Sequence, residues 1–260
     1  MNFLKTSLAA AAVLASMAAQ AVPVVTVNAN ATALATNLAG AGIVISNATL
    51  TNAAADASGT FTNGGTAVGF DSGVLLTTGS AACVASPTST TFCSSGNAVT
   101  ELGFDFTSAT GNVFFQYVFG SEEYNEFVGS GFNDSFQLLL NGVNIALLPG
   151  GAGPVTINNV NCGINSAFYR NNSAGANCTN LNLDIAYDGL TVVLTASGTV
   201  GTGLNNFKFR IADVGDTAFD SGVFIKAGSF SDTNPTPEPG SLALVGAALA
   251  GLAYARRRKA

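Results

Sequence analysis

Beyond residue 100, apolar and polar positions alternate in short runs. "LGFDF" (102–106) puts Leu102, Phe104 and Phe106 on one side, and "NNFKFRIA" (205–212) does the same with Phe207, Phe209 and Ile211. A side-chain period of two is that of a strand with one buried face. "NVFFQYVF" (112–119), "SFQLLL" (135–140), "LNLDIAY" (181–187) and "LTVVLTA" (190–196) are further strand candidates, rich in aromatic, aliphatic and β-branched residues. Turn residues separate them, at "NG" (141–142), "PGGAGP" (149–154) and "DG" (188–189). The one helical signal is "NATALATNLAG" (30–40), with Leu34 and Leu38 at i and i+4 and Gly40 as its stop. Many short strands, few helical periods and 18 Phe predict an all-β chain, a single-domain β-sandwich of jelly-roll-like form.

The chain also echoes itself. "FDSGVLLTTGS" (70–80) and "FDSGVFIKAGS" (219–229) agree at seven of eleven positions. There is no tandem array, so a solenoid is not indicated. The expectation is two related strand starts, neighbours in one sheet.

The two ends read as addresses rather than fold. Residues 1–21 carry Lys5, an Ala-rich apolar run and the small-x-small site "AQA" (19–21), the order of a secretory signal peptide cut after Ala21. Residues 22–233 form the expected domain, and 234–240 a Pro-rich spacer, stiff because Pro235, Pro237 and Pro239 forbid regular helix. Residues 241–255 are uncharged, and 256–260 hold Arg256, Arg257, Arg258 and Lys259. Fifteen helical residues span about 22 Å against a hydrocarbon core of about 30 Å, so 241–255 is expected as a short transmembrane sorting helix. The snorkelling basic residues make up part of the deficit, and their charge predicts a cytoplasmic tail with the body outside. Pro237-Glu238-Pro239, a short apolar helix and an Arg-rich end resemble the PEP-CTERM sorting signal of Gram-negative bacteria. That resemblance implies removal of the tail by an exosortase.

Charge narrows the partners. Residues 22–236 hold fourteen acids and four bases (Arg170, Lys208, Arg210, Lys226), a net charge of −10. This argues against nucleic acid and anionic membrane surfaces. The four cysteines, Cys83, Cys93, Cys162 and Cys178, are an even count in an exported chain and predict disulfides. The local pairs Cys83–Cys93 and Cys162–Cys178 are favoured, because each lies within one polar stretch. With no CxxC spacing and no His, zinc is not expected.

The acids are grouped. "FGSEEYNEF" (119–127) holds Glu122, Glu123 and Glu126, and "FND" (132–134) follows with Asn133 and Asp134. "YDG" brings Asp188, and "ADVGDTAFDSG" (212–222) brings Asp213, Asp216 and Asp220. Between Lys5 and Arg170 there is no basic residue. An oxygen-only donor set suits Ca²⁺, which takes six to eight hard ligands, and not zinc or copper. No EF-hand loop is present. The candidate ligands are Glu122, Glu123, Asn133, Asp134, Asp213, Asp216 and Asp220. The alternative for each is a solvated or turn-capping carboxylate. Catalysis is not expected: without His there is no Ser-His-Asp set, and adjacent Glu122 and Glu123 on a strand would face opposite ways.

"FFQYVFGSEEYNEFVGSGFNDSFQLLLNG", "NIALLPG", "NNVN", "YDGLTVVLTA" and "NFKFRIADVGDTAFDSGVFIKAGSF" together resemble the choice-of-anchor L domain, as do the upstream "LAGAGIVISNATL" and "FDSGVLLTTGS". The likeness runs over about residues 30–230 and implies an extracellular protein with a surface anchor. The reading is an exported, exosortase-sorted cell-surface or extracellular-matrix protein, structural or adhesive, calcium-stabilised and not an enzyme. Extracellular polysaccharide or matrix components are the candidate partners. The alternative is a carbohydrate-binding module with Tyr117, Tyr124 or Tyr169 as stacking surfaces.

Overall fold

The computed structural model describes residues 22–85, 93, 99–215 and 218–235. The expected signal peptide (1–21), the motif Pro237-Glu238-Pro239, the 241–255 helix, the basic tail and Asp216 lie outside the described residues. Among the described residues no helix is long and apolar enough to cross a membrane. In chain order the elements are β1 (Val24–Val27), α1 (Ala31–Leu38), β2 (Ile43–Thr51), β3 (Ser58–Thr62), α2 (Gly65–Val68), β4 (Gly73–Thr77), β5 (Val99–Ser108), β6 (Asn112–Ser121), β7 (Ser135–Leu140) and β8 (Val143–Asn144). They continue with β9 (Tyr169–Asn171), β10 (Gly189–Thr191), β11 (Leu194–Thr199), β12 (Asn205–Ala212) and β13 (Ser221–Lys226).

Two sheets result. One runs β1-β3-β4-β13-β6-β10-β9, with β11 also on β6, and the other runs β2-β5-β12-β7-β8. The architecture is the expected sandwich, but eight strands against five make it larger and less even than an eight-stranded jelly roll. The main core lies between the sheets. Phe104, Phe115 and Phe230 surround Phe207 at ring distances of 5.8, 5.1 and 5.0 Å. Helix α1 adds Leu34, Ala35 and Leu38 to this core. Asn30 caps it, accepting from the Ala33 N–H at 2.9 Å. Gly40 follows the helix because the chain passes so close to the Gly228 carbonyl that a Cβ would collide with it.

The eight-stranded sheet is covered on its other face too. Leu75, Val118 and Phe224 point into a second core with Phe61, Val84, Ile185 and Tyr187. Burial on both faces explains why "GVLLT" and "GVFIK" read as continuous apolar runs rather than alternations. These are the strands of the two FDSG repeats, and they are antiparallel neighbours, with Gly73 opposite Lys226 and Thr77 opposite Gly222. The pair is locally two-fold: the Ala227 N–H donates to the Ser72 carbonyl at 3.0 Å, and the Thr78 N–H donates to the Ser221 carbonyl at 2.9 Å.

Two expected strands are corrected. The run 190–196 is broken, β10 pairing with the end of β6 and β11 with its first part. The run 181–187 is not a strand at all. Its Leu183, Ile185 and Tyr187 are buried in alternation, but their carbonyls turn to one side chain. The Asn172 amide donates to all three, at 3.3, 3.2 and 2.9 Å, and its carbonyl accepts from the Leu183 N–H. One asparagine replaces a ladder. Asn172→Ala is therefore expected to cost about 2 kcal/mol through unpaired buried carbonyls, read as a lower urea midpoint with unchanged slope.

Candidate metal centre

The ends of several strands converge at one end of the sandwich. Ser121 at the end of β6 pairs with Ser221 at the start of β13, and Ser135 at the start of β7 pairs with Ala212 at the end of β12. Asp134 ties the two sheets here. Its Oδ2 accepts from the Ser221 hydroxyl at 2.6 Å, and its Oδ1 from the Val214 N–H at 2.8 Å. The strands end where the chain must turn, so the residues just beyond them, Glu122, Glu123, Asp213 and Asp220, are placed together by the sheets themselves. All five carboxylates are buried, with Glu123 and Asp134 at 0% and Asp220 at 1% exposure.

Glu122 and Asp220 form the centre. The Glu122 N–H donates to the Asp220 carbonyl at 2.9 Å, and Glu122 Oε2 accepts from the Asp220 N–H at 3.1 Å and the Cys93 N–H at 3.3 Å. A carboxylate oxygen from each side chain and the Cys93 Sγ lie within 4.8 Å of one another. That sulfur is bonded to Cys83, so it offers no thiolate. Gly79 has no side chain because a Cβ would strike Asp220 Oδ2 and the Cys93 carbonyl. Asp220 Oδ2 itself is buried with no hydrogen-bond partner among the described residues. Just before it, Phe219 holds φ +63°, which costs a bulky residue about 1–3 kcal/mol. Its ring packs on Phe127 of the Glu-rich stretch at 5.0 Å.

The electrostatics are unfavourable as they stand. Burial pushes the Glu122 carboxyl up to about 7, with Asp188 adding to the rise and the Cys93 and Asp220 N–H groups opposing it. Burial likewise pushes Asp220 up to about 8, reinforced by Glu122, Asp213, Asp134 and Asp56. When both are ionised, two unit charges within 4.8 Å repel by about 3 kcal/mol or more at an effective dielectric near 20. The four basic residues of the body are all engaged elsewhere. Lys208 and Arg210 pair with Glu101 at 3.1 Å each. Lys226 donates to Gln116 at 3.0 Å, and Arg170 to the Thr66 and Ala67 carbonyls.

The structure thus gathers Glu122, Glu123, Asp134, Asp213 and Asp220 at one end. Asn133 is placed differently: its Oδ1 accepts from the Asn158 N–H at 3.0 Å, which ties it to a neighbouring turn. Asp56 joins the group without having been singled out. Its Oδ2 accepts from the Ser80 hydroxyl at 2.5 Å, and Ser80 follows Gly79 at the end of β4. A lone Asp in a small-residue turn carries no signal of this. Cysteines pair locally, Cys83 with Cys93 and Cys162 with Cys178. The tyrosines expected as stacking surfaces are not surfaces. Tyr117 and Tyr124 are fully buried and Tyr169 is 9% exposed, because the aromatic faces pack inside the sandwich.

The carboxylate donors, with no base beside them among the described residues, fit a hard divalent cation such as Ca²⁺. A family model described as the choice-of-anchor L domain matches residues 23–231, and one described as the PEP-CTERM protein-sorting motif matches residues 235–259. No curated protein and no solved structure matches the chain.

Proposed function

Because the chain belongs to the choice-of-anchor L domain family and ends in a match to the PEP-CTERM sorting motif, we propose that it is an exported surface or matrix protein, processed by exosortase, with a structural or adhesive role and a Ca²⁺-stabilised end. The role is not enzymatic. The observation that carries the calcium reading is the Glu122–Asp220 pair: buried carboxylates, one with an oxygen that has no hydrogen-bond partner among the described residues, and every described basic side chain engaged elsewhere. Leaving such charges uncompensated costs several kcal/mol per ion, which water cannot recover inside the fold. Glu122 and Asp220 would be the first ligands, with Asp134, Asp213 and Glu123 completing the acidic surroundings. A cation there would neutralise charge and tie both sheets at their common end.

The position of the last described residues fits a surface role. Ser231 bridges to Phe114 near the start of β6, and the Asp232 N–H donates to the Ala41 carbonyl. Ser231 and Asp232 therefore lie toward the opposite end of β6 from Glu122. Ten strand residues span about 30 Å, so the acidic end is separated from Ser231 and Asp232 by most of the length of β6.

Two measurements test the reading. Elemental analysis of the exported protein equilibrated by dialysis against millimolar Ca²⁺ is expected to find at least one calcium per chain above the dialysate; none would sink the cation. Mass spectrometry of protein exported from a host with exosortase is expected to find an N-terminus at Val22 and no Arg256–Lys259. Retention of those basic residues on the exported protein would refute the sorting reading.

A further inference from the structure

The carboxylate site is built against a disulfide, and the contact between them is specific. Cys83 sits in a 3₁₀ turn, Cys83–Ala85, fixed on three sides. Its N–H donates to the Ser80 carbonyl at 3.2 Å, the Val84 carbonyl accepts from the Ala186 N–H at 3.0 Å, and the Val84 side chain is buried in the second core. Cys93 reaches the site from this anchored turn through the bond to Cys83, with Cα atoms 5.5 Å apart. Cys93 then touches the site at both ends of its backbone. Its N–H donates to Glu122 Oε2, and its carbonyl accepts from the Ser80 N–H at 2.9 Å. Ser80 in turn holds Asp56. The Cys93 side chain is 2% exposed and its Sγ lies beside the Glu122 and Asp220 oxygens. Both N–H donors act on the same oxygen, Oε2, and so fix the Glu122 carboxylate.

We infer that the Cys83–Cys93 disulfide is a positioning group for the cation site: the oxidised bond holds the Cys93 N–H on Glu122 and so sets the affinity for Ca²⁺. This rests on the calcium reading above. Cys162–Cys178 has no such link. It borders Asn125, Tyr169 and Asn171 rather than Glu122 or Asp220, and so serves as the internal control. Losing one hydrogen bond to a charged group weakens an interaction by about tenfold or more. Linkage makes the coupling reciprocal: Ca²⁺ must make Cys83–Cys93 harder to reduce by the same factor.

Two experiments on the exported protein test this. Calorimetric titration with Ca²⁺ compares the wild type, Cys83→Ser/Cys93→Ser and Cys162→Ser/Cys178→Ser. The expected result is an affinity about tenfold weaker in the first double variant, with the same stoichiometry, and wild-type affinity in the second. The other experiment needs no variant. Wild-type protein is equilibrated in thiol–disulfide buffers with and without saturating Ca²⁺, free thiols are alkylated, and each cysteine pair is quantified by mass spectrometry. A tenfold effect moves the midpoint of Cys83–Cys93 by about 30 mV toward more reducing values, with Cys162–Cys178 unmoved. If the wild type binds no Ca²⁺, the calcium reading fails. If it binds but both pairs shift equally, or neither shifts, or the first double variant binds as tightly as the wild type, the positioning role is refuted and the calcium reading stands.

Discussion

Chelating divalent cations from the exported protein is expected to lower its melting temperature by about 5–10 °C. The size follows from mass action. A ligand that binds only the folded chain at a hundredfold excess over Kd adds about 2.7 kcal/mol, and each kcal/mol moves the midpoint of a domain of about 200 residues by about 2–4 °C. Millimolar Ca²⁺ supplies that excess for a site of Kd about 10⁻⁵ M. The physical origin is the end of the sandwich where Glu122, Asp134, Asp213 and Asp220 meet with no base beside them among the described residues. Differential scanning calorimetry in EGTA, in millimolar Ca²⁺ and in millimolar Mg²⁺ reads it directly. Midpoints that coincide in EGTA and Ca²⁺ would rule out a stabilising cation. A shift with Ca²⁺ and not Mg²⁺ assigns the site to the larger ion, which tolerates irregular oxygen shells.

Much of the sandwich is legible in the chain, for a definite reason. Where one face of a strand is solvated, alternation survives, and Phe207, Phe209 and Ile211 mark β12 from end to end. The FDSG repeats were legible as neighbouring strands because equivalent strand starts flank the centre of one sheet. β2 is harder to read, since a register shift between Ser46 and Thr49 breaks its alternation. The run 181–187 misleads, because Asn172 imitates what a neighbouring strand would do. Tyr117 misleads for another reason: an aromatic residue in a strand does not say which face is covered, and the eight-stranded sheet is covered on both; Tyr124, in the turn after β6, packs back into the main core. The acids stand out because no base lies near them in the chain. Asp56 does not, because only the end of β4 brings Ser80 to it. The part played by Cys93 was invisible, as it is carried by a backbone N–H that any residue type could supply.

The repeats also supply the sharpest test of the acidic end, because the same tetrapeptide occurs there in two environments. Asp220 is buried among Glu122, Asp213, Asp134 and Asp56, whereas Asp71, its counterpart at the other end of the paired strands, is exposed. Asp220→Asn keeps the shape and removes one charge. In EGTA at about pH 9, above the raised Asp220 value of about 8, the variant should be more stable than the wild type, since repulsion of about 3 kcal/mol between carboxylates within 4.8 Å is relieved and a buried charge is lost; near neutral pH, where Asp220 is largely protonated, the gain should shrink. In Ca²⁺ the order should reverse: the wild type gains its cation and the variant, short of a ligand, gains little. Asp71→Asn should leave both midpoints within about 0.5 kcal/mol of wild type, as an exposed substitution does. The crossing of the two stabilities with calcium is what distinguishes a cation ligand from a structural carboxylate. If Asp220→Asn is less stable than wild type in EGTA by the same margin as in Ca²⁺, then Asp220 holds the turn through its own hydrogen bonds and the acidic end owes nothing to a metal.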